Sequence, residues 1–149
     1  MKIEDEIQQK KFKDDYQKLV VNLLYTSNWM NAHFESFFKG TGITLQQYNV
    51  LRILRGQYPN PSSVKLIRER MLDRMSDASR IVDKLVQKKL VIRKQCSNDR
   101  RSVDVIISES GLTLLQSLEV LDEKSKELLK SLSKTEISTL NSLLDKLRS

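Results

Sequence analysis

The chain has 149 residues, 39% hydrophobic and 30% charged, with only four glycines and two prolines, which excludes a disordered or collagen-like chain and favours long helices. A net charge of +7 favours an anionic partner, and a single cysteine excludes an internal disulfide and suits a reducing cytoplasm. One histidine and no glycine-rich phosphate loop leave no candidate catalytic, cofactor or metal site, and no apolar stretch approaches the ~20 residues of a membrane span, so we expect neither an enzyme nor a membrane protein.

A long amphipathic helix is predicted in the first 40 residues. Apolar residues recur there at spacings of three, four or seven, which places them on one helix face. They are Phe12, Tyr16, Leu19, Leu23, Met30, Phe34 and Phe37. Gly40 and Gly42 end the helix. A helix of about 30 residues would be ~45 Å long, longer than one small core covers. Part of it should therefore face a second chain.

Two further helices are predicted up to residue 71. The first has Thr44 as N-cap, Gln47 closing a capping box, and Ile43 stapled against Tyr48. It ends at the Tyr-Pro-Asn-Pro sequence at 58–61. Either Ser62 or Ser63 can then cap a short second helix.

The next helix carries the clearest periodicity in the chain. Its apolar residues fall at i, i+3, i+4, i+7 and i+8 and form a complete inward face. They are Ala78, Ile81, Val82, Leu85 and Val86. The outward face is polar and basic, and Asp77 lies near the helix N-terminus, where a carboxylate complements the helix dipole. Asp73 and Ser76 compete as N-cap.

A hairpin and two C-terminal helices complete the predicted order. Residues 90–95 and 102–108 form strands around a turn-rich loop that ends in Arg100 and Arg101. Ser108 caps one helix, whose apolar series runs to Leu132. A second capping box, Ser133 with Glu136, starts the last helix.

Positive charge is concentrated in residues 62–101. This segment holds twelve Lys and Arg against five Asp and Glu, an excess equal to the net charge of the whole chain. A basic run is commonly a solvated helix face, but a merely soluble surface intersperses both signs. The segregation therefore favours nucleic acid as the partner.

Short helix, turn, amphipathic helix and basic hairpin together form the arrangement of a winged helix-turn-helix, whose second helix enters the major groove of DNA. Small polar groups at the helix start allow close approach to base edges, and the arginines can reach guanine or phosphate. The residues predicted to contact DNA are Ser62, Ser63, Arg74, Met75, Ser76, Asp77, Ser79, Arg80, Lys84, Lys94, Asp99, Arg100 and Arg101.

Four segments resemble the MarR (multiple antibiotic resistance regulator) family of bacterial transcription factors. Residues 79–85 (SRIVDKL) resemble its helix pattern T/S-R-x-V-D-x-L, and residues 89–93 (KLVIR) its pattern G-L-V-x-R. Residues 99–111 (DRRSVDVIISESG) resemble its D-x-R wing followed by T/S-x-x-G, and residues 43–51 (ITLQQYNVL) its second-helix opening L-T-x-x-Q-Y-x-V-L.

The resemblance implies a mostly α (α+β) winged helix-turn-helix within a single domain, 1–149. Residues 43–111 would form the DNA-binding lobe, and long N- and C-terminal helices in 1–42 and 112–149 would form an obligate homodimer. The dimer would bind a pseudopalindromic operator on double-stranded DNA with half-sites ~34 Å apart. In the wing, Arg101 would enter the minor groove, Asp99 would brace it, and Arg100 would contact phosphate.

Two departures from the family pattern bear on this transfer. Lys89 stands where the family has a glycine after the DNA-reading helix, so the helix end lacks the residue that most easily adopts a left-handed cap. The turn at 71–76 also lacks the glycine and small residue of the family, which leaves the register of the base contacts open by one or two positions.

The resemblance further implies a repressor that a small aromatic effector releases from DNA. Trp29, His33, Phe37 and Tyr48 are the candidate effector pocket, although packing in the core or dimer interface is the simpler explanation for most of them. Cys96 beside the wing is either a spectator thiol or a redox switch. The alternative function is a winged-helix module that docks an acidic protein partner.

Overall fold

The computed structural model describes residues 1–95 and 103–149 and divides into two compact units, Met1–Asn49 and Val50–Ser149. It has eight helices in the described residues, α1 Ile3–Glu6, α2 Asp15–Phe37, α3 Leu45–Gln57, α4 Val64–Arg70, α5 Ala78–Gln87, α6 Glu109–Ser117, α7 Val120–Leu128 and α8 Lys134–Leu147. The strands are β1 Ser62–Ser63, β2 Val91–Gln95 and β3 Val103–Ile107. The fold is mostly α with one small antiparallel sheet, as the sequence predicts.

The long N-terminal helix of the first unit is α2, which is 23 residues long. It begins later than predicted, because the Asp14 side chain accepts a hydrogen bond from the Gln17 N–H at 2.8 Å and so fixes the N-cap after Phe12. Gly40 and Gly42 follow the helix with φ of +80° and +78°, the left-handed conformation that favours glycine.

The short helix α1 was not predicted, since its four residues are too few for a periodic signal. Ile3 is buried, and two side-chain contacts join α1 to α2. Glu4 pairs with Lys18 at 2.6 Å, and the Tyr25 hydroxyl donates to the Glu6 carboxylate at 2.6 Å. The helix α1 is therefore held against α2 through Glu4 and Glu6.

The predicted capping box at the start of α3 is confirmed. The Gln47 N–H donates to Thr44 Oγ1, and the Thr44 N–H donates to Gln47 Oε1, both at 3.2 Å. This reciprocal pair satisfies two backbone donors that the first turn of a helix leaves without partners. Local sequence rules alone thus place the beginning of α3.

The sheet of the second unit has three strands in the order β1, β3, β2. The predicted hairpin is β2 paired with β3, with Arg93 opposite Val105. β1 adds two residues on the other side of β3, with Ser62 opposite Val105. The sequence could not predict a two-residue strand, because period-two alternation needs at least four positions. Residues of α4, α5, β3 and α6 share the buried core, including Ile67, Val82, Leu85, Val105, Ile107 and Leu115.

The end of α5 is a Schellman cap built on a lysine. The Leu90 N–H donates to the Leu85 carbonyl at 3.0 Å, and the Lys89 N–H donates to the Val86 carbonyl at 2.9 Å. Lys89 has φ +58°, so it adopts the left-handed conformation even though it is not a glycine. Lys89 thus supplies the left-handed cap that the family pattern provides with glycine.

The first predicted C-terminal helix is divided into α6 and α7, which corrects the sequence-based expectation of one continuous helix. Leu115, Leu118 and Leu121 repeat at intervals of three and are all buried. Three residues per turn is the geometry of a 3₁₀ turn, and the Leu121 N–H donates to the Leu118 carbonyl at 2.9 Å. The tighter turn keeps the three leucines on the inward side. The capping box of Ser133 and Glu136 starts α8 as predicted.

Across the described ranges, no helix is both long enough and apolar enough to cross a membrane.

Candidate nucleic-acid interface

α5 separates its residues into two faces, as its periodicity predicts. Ala78, Val82 and Leu85 are buried, and Ile81 and Val86 are half-buried. The opposite face is exposed and carries Ser79, Arg80, Asp83, Lys84 and Lys88. Burial of the apolar face anchors α5 in the core of the second unit. Its basic face remains available to a ligand.

The N-terminus of α5 is capped by Asp77, which settles a point that the sequence left open. The Asp77 carboxylate accepts a hydrogen bond from the Arg80 N–H at 3.1 Å. The expected N-caps, Asp73 and Ser76, lie outside the helix. They bond to each other instead, with the Ser76 hydroxyl donating to Asp73 Oδ2 at 2.5 Å.

Asp73 organises the turn before α5. Its Oδ1 also accepts a hydrogen bond from the Met75 N–H at 2.9 Å. The hydrogen bond from the Ser76 hydroxyl, followed by that from the Met75 amide, lowers the pKa of the Asp73 carboxyl below its ordinary value. The turn is therefore a hydrogen-bonded Asx turn that does not need the glycine of the family pattern.

Most predicted DNA contacts in this segment are exposed. Arg74, Met75, Asp77, Ser79, Arg80 and Lys84 are exposed on the turn and on α5, and Lys94 is exposed on β2. Ser76 and Ser63 are partly buried, and the Ser63 hydroxyl caps α4 by accepting from the Leu66 N–H at 3.1 Å. Among the described residues, Arg74, Arg80 and Lys84 form no ion pair, so no carboxylate in this part of the chain neutralises their charges.

Ser62 has to be removed from the predicted contacts. It is 2% exposed, because it belongs to β1 and lies against β3. A side chain buried in the sheet cannot reach a nucleic acid. Cys96, Asp99, Arg100 and Arg101, which the sequence assigns to the wing, lie outside the described residues.

Two features of this surface were missed by the sequence reasoning. Arg68 on α4 lines a cleft together with Arg74 and Glu69, so a second arginine lies beside the turn. Arg93 on β2 pairs with Asp83 on α5, with 2.5 Å between Nη2 and Oδ1. Both residues of the pair are in the quoted family motifs, but only the fold shows that they meet.

The candidate effector residues all belong to the first unit. Trp29 and His33 form an edge-on ring pair with centroids 4.6 Å apart. Phe37 instead packs against Phe34, and Tyr48 against Phe38, at 5.8 and 5.0 Å. Each of the four rings thus has an aromatic neighbour in its own unit. Among the described residues, no group of three or more His, Cys, Asp or Glu is placed to hold a metal ion.

Comparison with known families and proteins gives a consistent result. Residues 43–103 match the model of the MarR family. The chain is 30% identical over 101 residues to the HTH-type transcriptional regulator MhqR of Bacillus subtilis, and the match covers 68% of each protein.

Two solved structures of similar fold are a complex with operator DNA and a protein whose DNA binding is regulated by a small molecule. A cysteine-to-serine mutant of MarR from E. coli, in complex with operator DNA, has a TM-score of 0.73 at 25% identity, with 85% of this chain and 91% of that chain covered. Bordetella bronchiseptica BpsR, whose DNA binding is regulated by 6-hydroxynicotinic acid, has a TM-score of 0.73 at 22% identity, with 88% and 99% covered.

Proposed function

This chain belongs to the MarR family of transcriptional regulators, and we propose that it is a cytoplasmic, homodimeric repressor that binds a pseudopalindromic operator in double-stranded DNA. The observation that carries the proposal is the outward face of α5, which is exposed and basic and whose Arg80 and Lys84 form no ion pair among the residues that the structure describes. The operator complex of the E. coli relative supports DNA as the ligand. Family members are regulators, which supports a role without catalysis.

In this proposal, α5 enters the major groove and the residues at its start read base edges. Ser79 and Arg80 in the first turn are exposed, so they can approach bases without moving the core. Lys84, one turn further along, contacts the phosphate backbone. Arg68 and Arg74 together supply a second phosphate contact beside the turn.

The wing contributes the minor-groove contact. Lys94 on β2 is exposed and shortly precedes, in the sequence, the segment that holds Asp99, Arg100 and Arg101. These three residues lie outside the described part of the chain, so their roles follow from the family pattern alone. Arg101 enters the narrow groove, where negative potential is concentrated.

Dimerisation uses helices of residues 1–42 and 112–149, around a DNA-binding lobe of residues 43–111. α2 and α8 have no fully buried residue in the single chain. Large apolar side chains are exposed on both, including Leu19, Val20 and Leu24 on α2 and Leu140, Leu143 and Leu147 on α8. Exposed apolar side chains on each of these helices favour burial against a second copy.

Release from DNA is assigned to a small aromatic effector. BpsR, a protein of the same fold, is regulated by such a molecule. Trp29, His33, Phe37 and Tyr48 are the candidate lining, because aromatic rings can stack on a planar ligand. Binding there would release the repressor from its operator by changing the spacing of the two DNA-binding lobes.

The experiment that tests this function is a selection of the purified protein on random duplex DNA at ~150 mM salt, with sequencing of the bound pool. We expect an enriched pseudopalindrome with half-sites one helical turn apart. Arg80→Ala is expected to relax the preference at one position per half-site, at a cost of about 1–3 kcal/mol, whereas Lys134→Ala, on α8 outside the basic segment, is the matched control and leaves the motif unchanged. A pool without enrichment would contradict the proposal.

A further inference from the structure

Among the residues that the structure describes, Met75 is the most exposed large apolar side chain of the second unit. It is 95% exposed, and Leu72 in the same turn is 86% exposed. The other exposed large apolar side chains described in this unit, which include Tyr58, Ile92, Val120 and Leu143, are 58% exposed or less. An apolar side chain kept in water among arginines has no role in the folding of the single chain.

The backbone holds Met75 in place. Its N–H is bonded to Asp73 Oδ1 at 2.9 Å, and Asp77 caps α5 two residues later. Two carboxylates therefore brace the backbone on both sides of Met75. Its exposed side chain can adapt its shape, while these hydrogen bonds hold its backbone in the turn just before α5.

We propose that Met75 is a specificity-determining residue that recognises thymine, by packing its thioether against the 5-methyl group in the major groove. The inference rests on the proposed function, since it requires α5 to enter that groove. Residues at the start of such a helix lie nearest the base edges. The thymine methyl is the apolar feature of the major-groove edge, and a flexible, polarisable methionine fits irregular apolar contacts.

The charges around Met75 suit this role. Arg74 on one side and Arg80 on α5 are exposed and unpaired among the described residues, so they can bind phosphate or guanine. Electrostatic attraction would bring the turn against the duplex, and the methionine would then bury its apolar surface.

The test uses the full-length protein and the duplex enriched by the selection, with each thymine replaced in turn by deoxyuridine, which removes only the methyl group. We expect that replacement of one particular thymine per half-site lowers the affinity about three- to fivefold. This loss corresponds to the binding free energy of roughly one buried methyl group. Met75→Ala should bind the thymine and uracil duplexes equally. Met75→Leu should restore part of the difference, because leucine keeps an apolar contact.

Leu72→Ala is the matched control, since it truncates an equally exposed apolar side chain of the same turn. This variant should retain the wild-type sensitivity to uracil. The inference is overturned if no replacement weakens wild-type binding, or if Met75→Ala retains the full sensitivity. Failure of the proposed function gives a different result, because the wild-type protein would then not distinguish the selected duplex from a scrambled one.

Discussion

The Ser108 hydroxyl donates a hydrogen bond to the Lys89 carbonyl oxygen at 2.8 Å and accepts one from the Gly111 N–H at 3.1 Å. The Ser108 N–H also donates to the Leu90 carbonyl at 3.0 Å. The end of α5 and the beginning of α6 are thus tied together through one serine. This connection fixes the direction in which the chain leaves α5 for the wing.

The close approach at this junction predicts that Gly111 cannot be replaced. A Cβ at position 111 would lie 2.3 Å from the Leu90 carbonyl oxygen, which belongs to the backbone and cannot rotate away. Gly111→Ala should lower the free energy of unfolding by about 1–3 kcal/mol, measured by urea denaturation. Gly56→Ala in α3 is the control, because nothing lies within 4 Å of its added Cβ; it should be neutral or stabilising. Equal effects of the two substitutions would contradict this account.

At Lys89 we expect a glycine substitution to stabilise the fold, the opposite of the effect expected at Gly111. A lysine at φ +58° is strained by about 1–2 kcal/mol, a cost that glycine avoids, although glycine loses more conformational entropy on folding. Lys89→Gly should therefore raise the free energy of unfolding by about 0.5–1 kcal/mol. Lys88→Gly is the matched control. Lys88 has φ −81°, which any residue adopts, so glycine at this position should lower the free energy of unfolding. A melting temperature that falls for both variants would refute the assignment.

Much of this fold follows from local rules of sequence, and the exceptions share one cause. Caps at Thr44, Ser108 and Ser133 and the two faces of α5 depend on residues within one or two turns of each other. The strand β1, the Asp83–Arg93 pair and the cleft at Arg68 depend instead on groups brought together through space. Periodicity contains no information about such contacts.

The same distinction applies to the interface. The sequence predicts the exposed basic face of α5 correctly, because a face follows from helical spacing. It misassigns Ser62, because burial in a two-residue strand leaves no periodic signal. It also places the N-cap of α5 too early, because Asp73, Ser76 and Asp77 are all good capping residues and only the hydrogen bonds distinguish them.

The Asp83–Arg93 ion pair should contribute modestly to stability. Its side chains are 51% and 35% exposed, so solvent screens the attraction. A double-mutant cycle with Asp83→Asn and Arg93→Gln should give a coupling energy of about 0.2–1 kcal/mol that decreases as salt is raised. The double variant with exchanged charges, Asp83→Arg with Arg93→Asp, should recover part of this coupling energy. A coupling energy of zero at low salt would show that α5 and β2 are not joined by this pair.

Tyr25 should titrate above its ordinary pKa, which is near 10. Its hydrogen bond to the Glu6 carboxylate favours the neutral phenol and raises the pKa of Tyr25 in the folded chain. The stability that this bond contributes is fully present below the unfolded pKa and is lost as pH rises through the folded one. The ionisation of Tyr25 is followed as the part of the tyrosinate absorbance that is lost in Tyr25→Phe. This absorbance should develop above pH 10. In Glu6→Gln the transition should move down; an unchanged transition would exclude the contact.

If α8 contributes to the dimer interface, a charge introduced on its apolar face should strongly weaken self-association. Leu140, Leu143 and Leu147 lie on one face of this helix and are exposed in the single chain. Leu143→Glu should weaken self-association at least about tenfold in analytical ultracentrifugation, because the dimer would bury an unpaired charge. Ser138→Glu, on the other side of α8, should leave it unchanged. Equal dissociation constants for the two variants would assign the dimer contact to another surface.

The most direct test of the central claim compares the affinity of the full-length protein for the selected operator with its affinity for a scrambled duplex of the same length and composition. At ~150 mM salt the account predicts a ratio of at least about a thousandfold, because base reading adds to phosphate attraction. The ratio should persist as salt is raised, while both affinities fall. A ratio near one at every salt concentration would mean that the basic face of α5 attracts DNA without reading it, and would contradict the account.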